Sequence, residues 1–185
     1  MRIITGQLRG RILQTLEGED TRPTAQRVKE GLFSAIQFDI EGRKVLDLFA
    51  GSGQLGIEAL SRGAANCVFV DRNPEAATVI RRNLTENGLA AVSRVLTQDA
   101  ASYLAHLREA FDLVFLDPPY AAGLLEPTLQ AVAPHVAEGG IVVCESDREL
   151  DMPDRAGVLG LYRSYRYGRV VIWLYRWNTE EEVAL

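Results

Sequence analysis

Between Arg43 and Glu145 the sequence switches repeatedly between two hydrophobic periods, and that alternation limits the possible folds more than any other feature. Lys44–Leu48, Asn66–Asp71, Ser93–Gln98, Asp112–Asp117 and Gly140–Glu145 are short apolar runs of strand length. Between them, Gln54–Ser61, Pro74–Asn87, Ala100–Glu109 and Gly123–His135 read as helices. Pro74 stands at a helix start, and Gly63 and Gly88 stand where helices stop. Such alternation builds a mostly parallel sheet with helices on both faces. The end of the chain departs from the pattern. Val158–Arg166 and Arg169–Trp177 are strand-like with no helix between them, and Tyr167-Gly168 reads as their turn. They predict an antiparallel hairpin added to the sheet edge.

The first 43 residues read as an appendage. Arg2–Thr5 and Arg9–Thr15 suggest two short strands around a turn from Gly6 to Gly10. Glu17–Pro23 is polar and reads as a loop. A helix then follows Pro23 and Thr24, with Val28, Leu32, Phe33 and Ile36 on one face, and Gly42 closes the unit. The predicted organisation is an appendage over 1–43, an α/β domain over 44–177 and an acidic tail over 178–185. A chain of 185 residues is long enough to bury one core without staples. No apolar run approaches the roughly 20 residues of a membrane span. Residues Met1 to Gly6 hold no apolar signal core, so a cytoplasmic protein is expected. Cys67 and Cys144 lie within apolar runs and read as buried, reduced thiols. His106 and His135 are isolated and read as surface or helix-end residues, so no metal site is predicted.

Charge is unevenly spread. The net charge of −5 argues against a simple nucleic-acid binder. Yet residues 1–16 hold Arg2, Arg9 and Arg11 with no acid, and residues 162–177 hold Arg163, Arg166, Arg169 and Arg176 with none. Residues 45–161 carry net −8, so an acidic body is flanked by basic ends. Of 20 basic residues 18 are Arg, the better partner for phosphates and base faces.

Gly51-Ser52-Gly53-Gln54-Leu55-Gly56 is a GxGxxG between a strand and a helix, and Asp71 ends the next strand. That pattern fits a dinucleotide, and it equally fits S-adenosylmethionine. Electrostatics separates the two. Asp47 stands just before the loop, where a pyrophosphate would meet a poorly screened carboxylate. S-adenosylmethionine has no phosphate, and its cationic methionine end suits that acid. Asp47, Ala50, Gly51, Ser52, Gly53 and Gly56 are therefore candidate cofactor residues. Asp71 would take the ribose hydroxyls. Asp99 would face the adenine amine, or else simply cap a helix.

The fourth strand runs into Asp117-Pro118-Pro119-Tyr120. Strand C-terminal ends in an open parallel sheet face the ligand crevice, so this tetrapeptide should meet the glycine loop. Asp117 can accept a hydrogen bond from an exocyclic amine. The two prolines lock the backbone and remove two donors, leaving rigid carbonyls, Pro118's in particular. Tyr120 offers a face for a flipped base. An aromatic amine is a weak nucleophile, and two acceptors can aim its lone pair at a methyl group. These four residues are the candidate catalytic set.

Asp117-Pro118-Pro119-Tyr120 is similar to the (D/N/S)PP(Y/F) motif of methyltransferases that act on adenine N6 or guanine N2. Asp47-Leu48-Phe49-Ala50-Gly51-Ser52-Gly53 and Gly56–Gly63 resemble their cofactor motif. The N-terminal pattern is more specific. Arg2-Ile3-Ile4-x-Gly6, Arg9-Gly10-Arg11 and Thr21-Arg22-Pro23-Thr24-x-x-Arg27-Val28-x-Glu30-x-x-Phe33 resemble the RsmD family of 16S rRNA (guanine-N2)-methyltransferases, over residues 2 to about 177. The resemblance implies a Rossmann-like class I sheet and a bacterial, cytoplasmic enzyme. It implies methyl transfer from S-adenosylmethionine to one guanine N2 in 16S rRNA of the small ribosomal subunit, assembled or partly assembled. Arg2, Arg9, Arg11, Arg22 and Arg27 would contact RNA, and a monomer with no metal and no membrane contact is expected. The competing readings are a DNA adenine-N6 methyltransferase, a non-catalytic cofactor-binding module on ribosomal precursors, and a nicotinamide dehydrogenase.

Overall fold

Four of the apolar runs are buried on both faces, which is what a parallel sheet sandwiched between helices requires, while the run at Ser93–Thr97 is only partly covered. The computed structural model describes residues 1–16, 23–119, 123–147 and 150–178. The parallel strands are β1 (Lys44–Leu48), β2 (Asn66–Asp71), β3 (Ser93–Thr97), β4 (Phe111–Leu116) and β5 (Val136–Ser146). They pair in the order β3-β2-β1-β4-β5, so the chain reverses direction across the sheet between β1 and β4. The antiparallel strands β6 (Arg155–Ala156), β7 (Leu159–Tyr167) and β8 (Val170–Trp177) extend the β5 edge to give eight strands. β8 pairs with β5, Ile141 opposite Arg176 and Ser146 opposite Val171.

Side chains alternate across the pleat and divide the core in two. Val45, Phe69, Leu113, Phe115, Val143 and Ile172 face one side. There they meet α1 (Pro23–Ala35), α2 (Gln54–Ser61) and α3 (Pro74–Glu86) through Val28, Leu32, Phe33, Ile57 and Ile80. Leu46, Val68, Val114, Val142 and Trp173 face the other side, against α4 (Ala100–His106) and α5 (Leu125–Val132). The α1 pattern read from the sequence is thus a core face: Val28, Leu32, Phe33 and Ile36 are all buried. Asn73 caps α3 by accepting from Glu75 N at 2.9 Å, Pro74 occupies the first turn, and Gly88 follows in the left-handed region. Cys67 and Cys144 are buried free thiols, and burial raises both pKa values.

Several expectations change. The two N-terminal strands reduce to one antiparallel bridge, Arg2 opposite Ile12. Ile3 N donates to Arg11 O and Leu13 N to Met1 O, but the segment then turns to side chains for its remaining bonds. The hairpin turn falls at Gly168-Arg169, one residue later than expected, because Gly168 supplies the positive φ of 63° that the two-residue turn needs. β5 begins at Val136, its register slipping where Phe111 faces Val136 and Leu113 faces Ile141. β6 was not foreseen, and two residues give too little pattern to see. The loop expected at Glu17–Pro23 lies almost wholly outside the described residues, as do Arg22, Tyr120 and most of the acidic tail.

The N-terminal segment is held by buried polar side chains of the helices beneath it. The Glu58 carboxylate on α2 has no exposed surface. It accepts from Ile4 N at 2.8 Å, Thr5 N at 3.0 Å and Arg62 Nε at 2.9 Å, and it lies 3.5 Å from Lys29 Nζ. Ser61 Oγ donates to Thr5 O at 2.6 Å and accepts from Leu8 N at 3.1 Å. Asn83 on α3 accepts from Gln14 N at 2.9 Å and donates to Gln14 O at 3.0 Å, replacing the strand partner the segment lacks. Gly6 has φ of 85°, and a Cβ there would stand 1.8 Å from Ser61 O. Replacing Glu58 with Ala strands two amide donors and leaves buried Lys29 without its counter-charge. Chemical denaturation should show a loss of about 3–5 kcal/mol, the usual cost of breaking a buried pair.

Candidate active site

The β1 run ends at Leu48 because the chain must turn sharply away from the sheet there. Phe49, Gly51 and Gly53 all take positive φ, at 74°, 54° and 80°. Phe49 has a Cβ and bears that conformation at a cost of about 1–3 kcal/mol. Hydrogen bonds hold it there: Phe49 N and Ala50 N both donate to Val70 O at 3.0 Å. Gly51 N donates to Asp71 Oδ2 at 2.8 Å, and Asn73 N donates to Asp71 Oδ1 at 2.8 Å. Asp47 Oδ2 accepts from Gly56 N at 2.9 Å, tying the first turn of α2 to β1. Asn83 Nδ2 donates to Ser52 O at 3.1 Å. The loop is therefore fixed from below and from both sides.

A cavity of about 540 Å³ opens over this loop, at the C-terminal ends of the parallel strands. Of the residues singled out from the sequence, Asp47, Ala50, Gly51, Ser52, Asp71, Asp99, Asp117, Pro118 and Pro119 line it together. Gly53 and Gly56 do not. Gly53 is the N-cap of α2, and a Cβ there would lie 3.2 Å from Ile80 Cγ1 and 3.3 Å from Ile57 Cδ1. Gly56 faces β2: a Cβ there would lie 2.3 Å from the Phe69 ring and 2.7 Å from Cys67 Sγ. Its role is close helix–sheet packing. Asp99 caps α4 by accepting from Ser102 N at 3.0 Å, while also lining the cavity. Arg2, Arg9, Arg11 and Arg27 are exposed outside it.

The cavity wall also holds residues that sequence reasoning missed: Lys29, Phe49, Gln54, Arg72, Gln98 and Glu145. Lys29 arrives from α1, donates to Arg2 O at 3.2 Å, and is buried enough to lower its pKa despite Glu58. Met1 lines the cavity as well, so the N-terminal segment reaches the site rim. Glu145, at the C-terminal end of β5, was invisible because a strand-end acid resembles any loop acid. A second cavity of about 270 Å³ lies alongside, and Pro118, Pro119, Leu124 and Glu145 line both.

Five acidic residues, Asp47, Asp71, Asp99, Asp117 and Glu145, line the larger cavity against the basic residues Lys29 and Arg72 and Met1, which bears the N-terminal ammonium. A ligand with a cationic centre suits such a wall, and a pyrophosphate does not. Among the described residues no cluster of His, Cys, Asp or Glu could hold a metal ion, and no helix is long and apolar enough to cross a membrane.

A family described as Conserved hypothetical protein 95 matches residues 1–176. YlbH of Bacillus subtilis (strain 168) is 41% identical over 181 residues, spanning 95% of this chain and 98% of that one. Ribosomal RNA small subunit methyltransferase D of Escherichia coli (strain K12) is 35% identical over 184 residues, spanning 98% and 92%. This chain belongs to the RsmD family. A solved structure of yhhF from Escherichia coli matches it with a TM-score of 0.87 at 36% identity, covering 97% of this chain and 99% of that one. The RsmD-family fold seen here is the class I methyltransferase sheet with its antiparallel C-terminal strands.

The glycine assignments can be checked directly. Gly56→Ala should lower stability by about 1–3 kcal/mol through overpacking against Phe69. Affinity for S-adenosylhomocysteine, measured by calorimetry, should stay within a few-fold of wild type.

Proposed function

We propose that this chain transfers a methyl group from S-adenosylmethionine to the exocyclic N2 amine of one guanine in 16S rRNA, within an assembled or partly assembled small subunit. The observation that carries the reading is the shared cavity. Asp117 and Pro118 line the same space as the glycine loop, Asp71 and Asp99. Family membership supports the reaction class, since one relative bears the name of a small-subunit rRNA methyltransferase. Such a role belongs in the bacterial cytoplasm.

The residues present fit the cofactor. Gly51 lets the backbone approach closely, and Asp71 at the end of β2 can accept from ribose hydroxyls. Asp99 lines the same cavity and, in this reading, would take the adenine amine. Asp47 adds negative charge near the methionine end. When bound, S-adenosylmethionine supplies an electrophilic methyl on a sulfonium. The chain's part is to bring a weak nucleophile to it. Asp117 and the Pro118 carbonyl accept the two N–H bonds of the amine, so the nitrogen lone pair points into the cavity. Accepting a methyl group would leave positive charge on the nitrogen, which Asp117 would stabilise before the proton leaves to it or to water. In this reading Tyr120, outside the described residues, stacks on the base.

Arg2, Arg9 and Arg11 lie on the N-terminal segment whose first residue reaches the cavity, and Arg27 is exposed on α1. With Arg22 they would supply phosphate affinity next to the site. The acidic remainder keeps non-specific attraction to bulk nucleic acid low.

The experiment is transfer of labelled methyl to small subunits lacking the modification, to naked rRNA and to duplex DNA, followed by nucleoside identification. N2-methylguanosine from subunits is the expected product; label in DNA adenine would overturn the reading. Asp117→Ala should reduce transfer by at least roughly 10²–10³-fold, as when an electrostatic or hydrogen-bonding catalytic group is lost. Its affinity for S-adenosylhomocysteine should stay within a few-fold. Arg9→Glu with Arg11→Glu should raise KM for subunits and leave the melting temperature nearly unchanged; unaltered kinetics would make the segment structural only.

A further inference from the structure

The proposed reaction places the acceptor amine where two spaces meet. The larger cavity holds the cofactor residues. The smaller one continues past Pro118 and Pro119, between the end of β5 and the start of α5, and includes Leu125, Ser146 and Met152. Residues that line both mark the junction, and among the described residues only one of these, Glu145, is ionisable. The register explains its position. Leu116 of β4 pairs with Cys144 of β5, so Asp117 and Glu145 are the next residues on adjacent parallel strands. Two acidic residues are therefore neighbours at the ends of adjacent strands, Asp117 lining the larger cavity and the half-buried Glu145 lining both.

Two adjacent acidic residues suit a base edge that sets two donors side by side. Guanine's Watson–Crick edge presents N1–H and the N2 amine as neighbouring donors, with the O6 acceptor beyond them. Adenine's edge presents an N6 amine beside N1, which is an acceptor. A carboxylate facing adenine N1 sets lone pair against lone pair, an unfavourable contact in a partly desolvated site.

We propose that Glu145 selects the base: it accepts the guanine N1–H while Asp117 and the Pro118 carbonyl hold the N2 amine, the ring occupying the smaller cavity. This rests on the guanine-N2 reading above and adds the residue that enforces it. Glu145 is a specificity residue that touches the substrate. Asp117 serves any exocyclic amine, whereas Glu145 rejects those flanked by a ring acceptor.

The test uses the full-length enzyme and small subunits reconstituted with rRNA carrying either guanine or 2-aminopurine at the methylated position. 2-Aminopurine keeps the exocyclic amine but presents an acceptor at N1. Wild type should prefer guanine by about 10- to 100-fold in kcat/KM, the range expected for a hydrogen bond to a charged group. Glu145→Gln can accept from N1–H or donate to a ring nitrogen, so its preference should collapse to within a few-fold. S-adenosylhomocysteine binding would confirm that the variant is folded. Equal wild-type rates on the two bases would overturn the proposal without any variant, as would a preference unchanged by Glu145→Gln. Failure of wild type to produce N2-methylguanosine from unmodified subunits would instead overturn the guanine-N2 reading.

Discussion

The structure turns on one buried carboxylate. Glu58 is fully enclosed within α2, and a charge in that position must be matched or it destabilises the fold. It is matched from three directions: two backbone amides of the N-terminal segment, the ammonium of α1 and the guanidinium of Arg62. The same helix begins at the glycine loop, and its Gly56 amide is bonded to Asp47. A single charge thus fixes the basic N-terminal segment relative to the loop over which the cavity opens. Asn83 reinforces the link, because one side chain bonds both Gln14 and Ser52.

The chemistry depends on that registration. Parallel strands deliver Asp47, Asp71, Asp117 and Glu145 to one edge of the sheet, since each lies at or just past the C-terminal end of its strand. The antiparallel hairpin plays a different part. β8 pairs with β5 from Ile141 to Ser146 and covers the end of the strand that carries Glu145, burying Trp173 and Tyr175 on one face and Ile172 and Leu174 on the other. Catalysis by positioning requires such a frame, because small displacements of acceptor groups are costly in rate.

Much of this was legible in the sequence. The periods of the β/α region, the glycine loop and the Asp117 tetrapeptide located the sheet and gathered nine candidates into one cavity. What was not legible shares a cause: polar residues whose partners lie far away in sequence. Glu58, Ser61 and Asn83 look like the solvated side of helices, yet each is buried to bind residues 53 to 69 positions distant. The N-terminal strands failed for the complementary reason. Their residues alternate like a hairpin, but the backbone finds better partners in those helix side chains. Gly56 carried the expected motif while serving packing. The positive φ of Phe49 had no signal at all, since the surrounding bonds impose it on an unsuited residue.

The distance between Gln14 and Asn83 also has a consequence in time. A chain is made from its N-terminus, at about 5–20 residues per second. The arginine-bearing segment is complete before Glu58, Ser61 or Asn83 exists, and the residue that clasps Gln14 follows 69 positions later. For roughly 3–14 s of synthesis, by that rate, Ile3 and Leu13 have no core to enter. The nascent segment must stay unstructured until α3 has been made, so the part of the protein that meets the cavity rim first in sequence is among the last to be set in place.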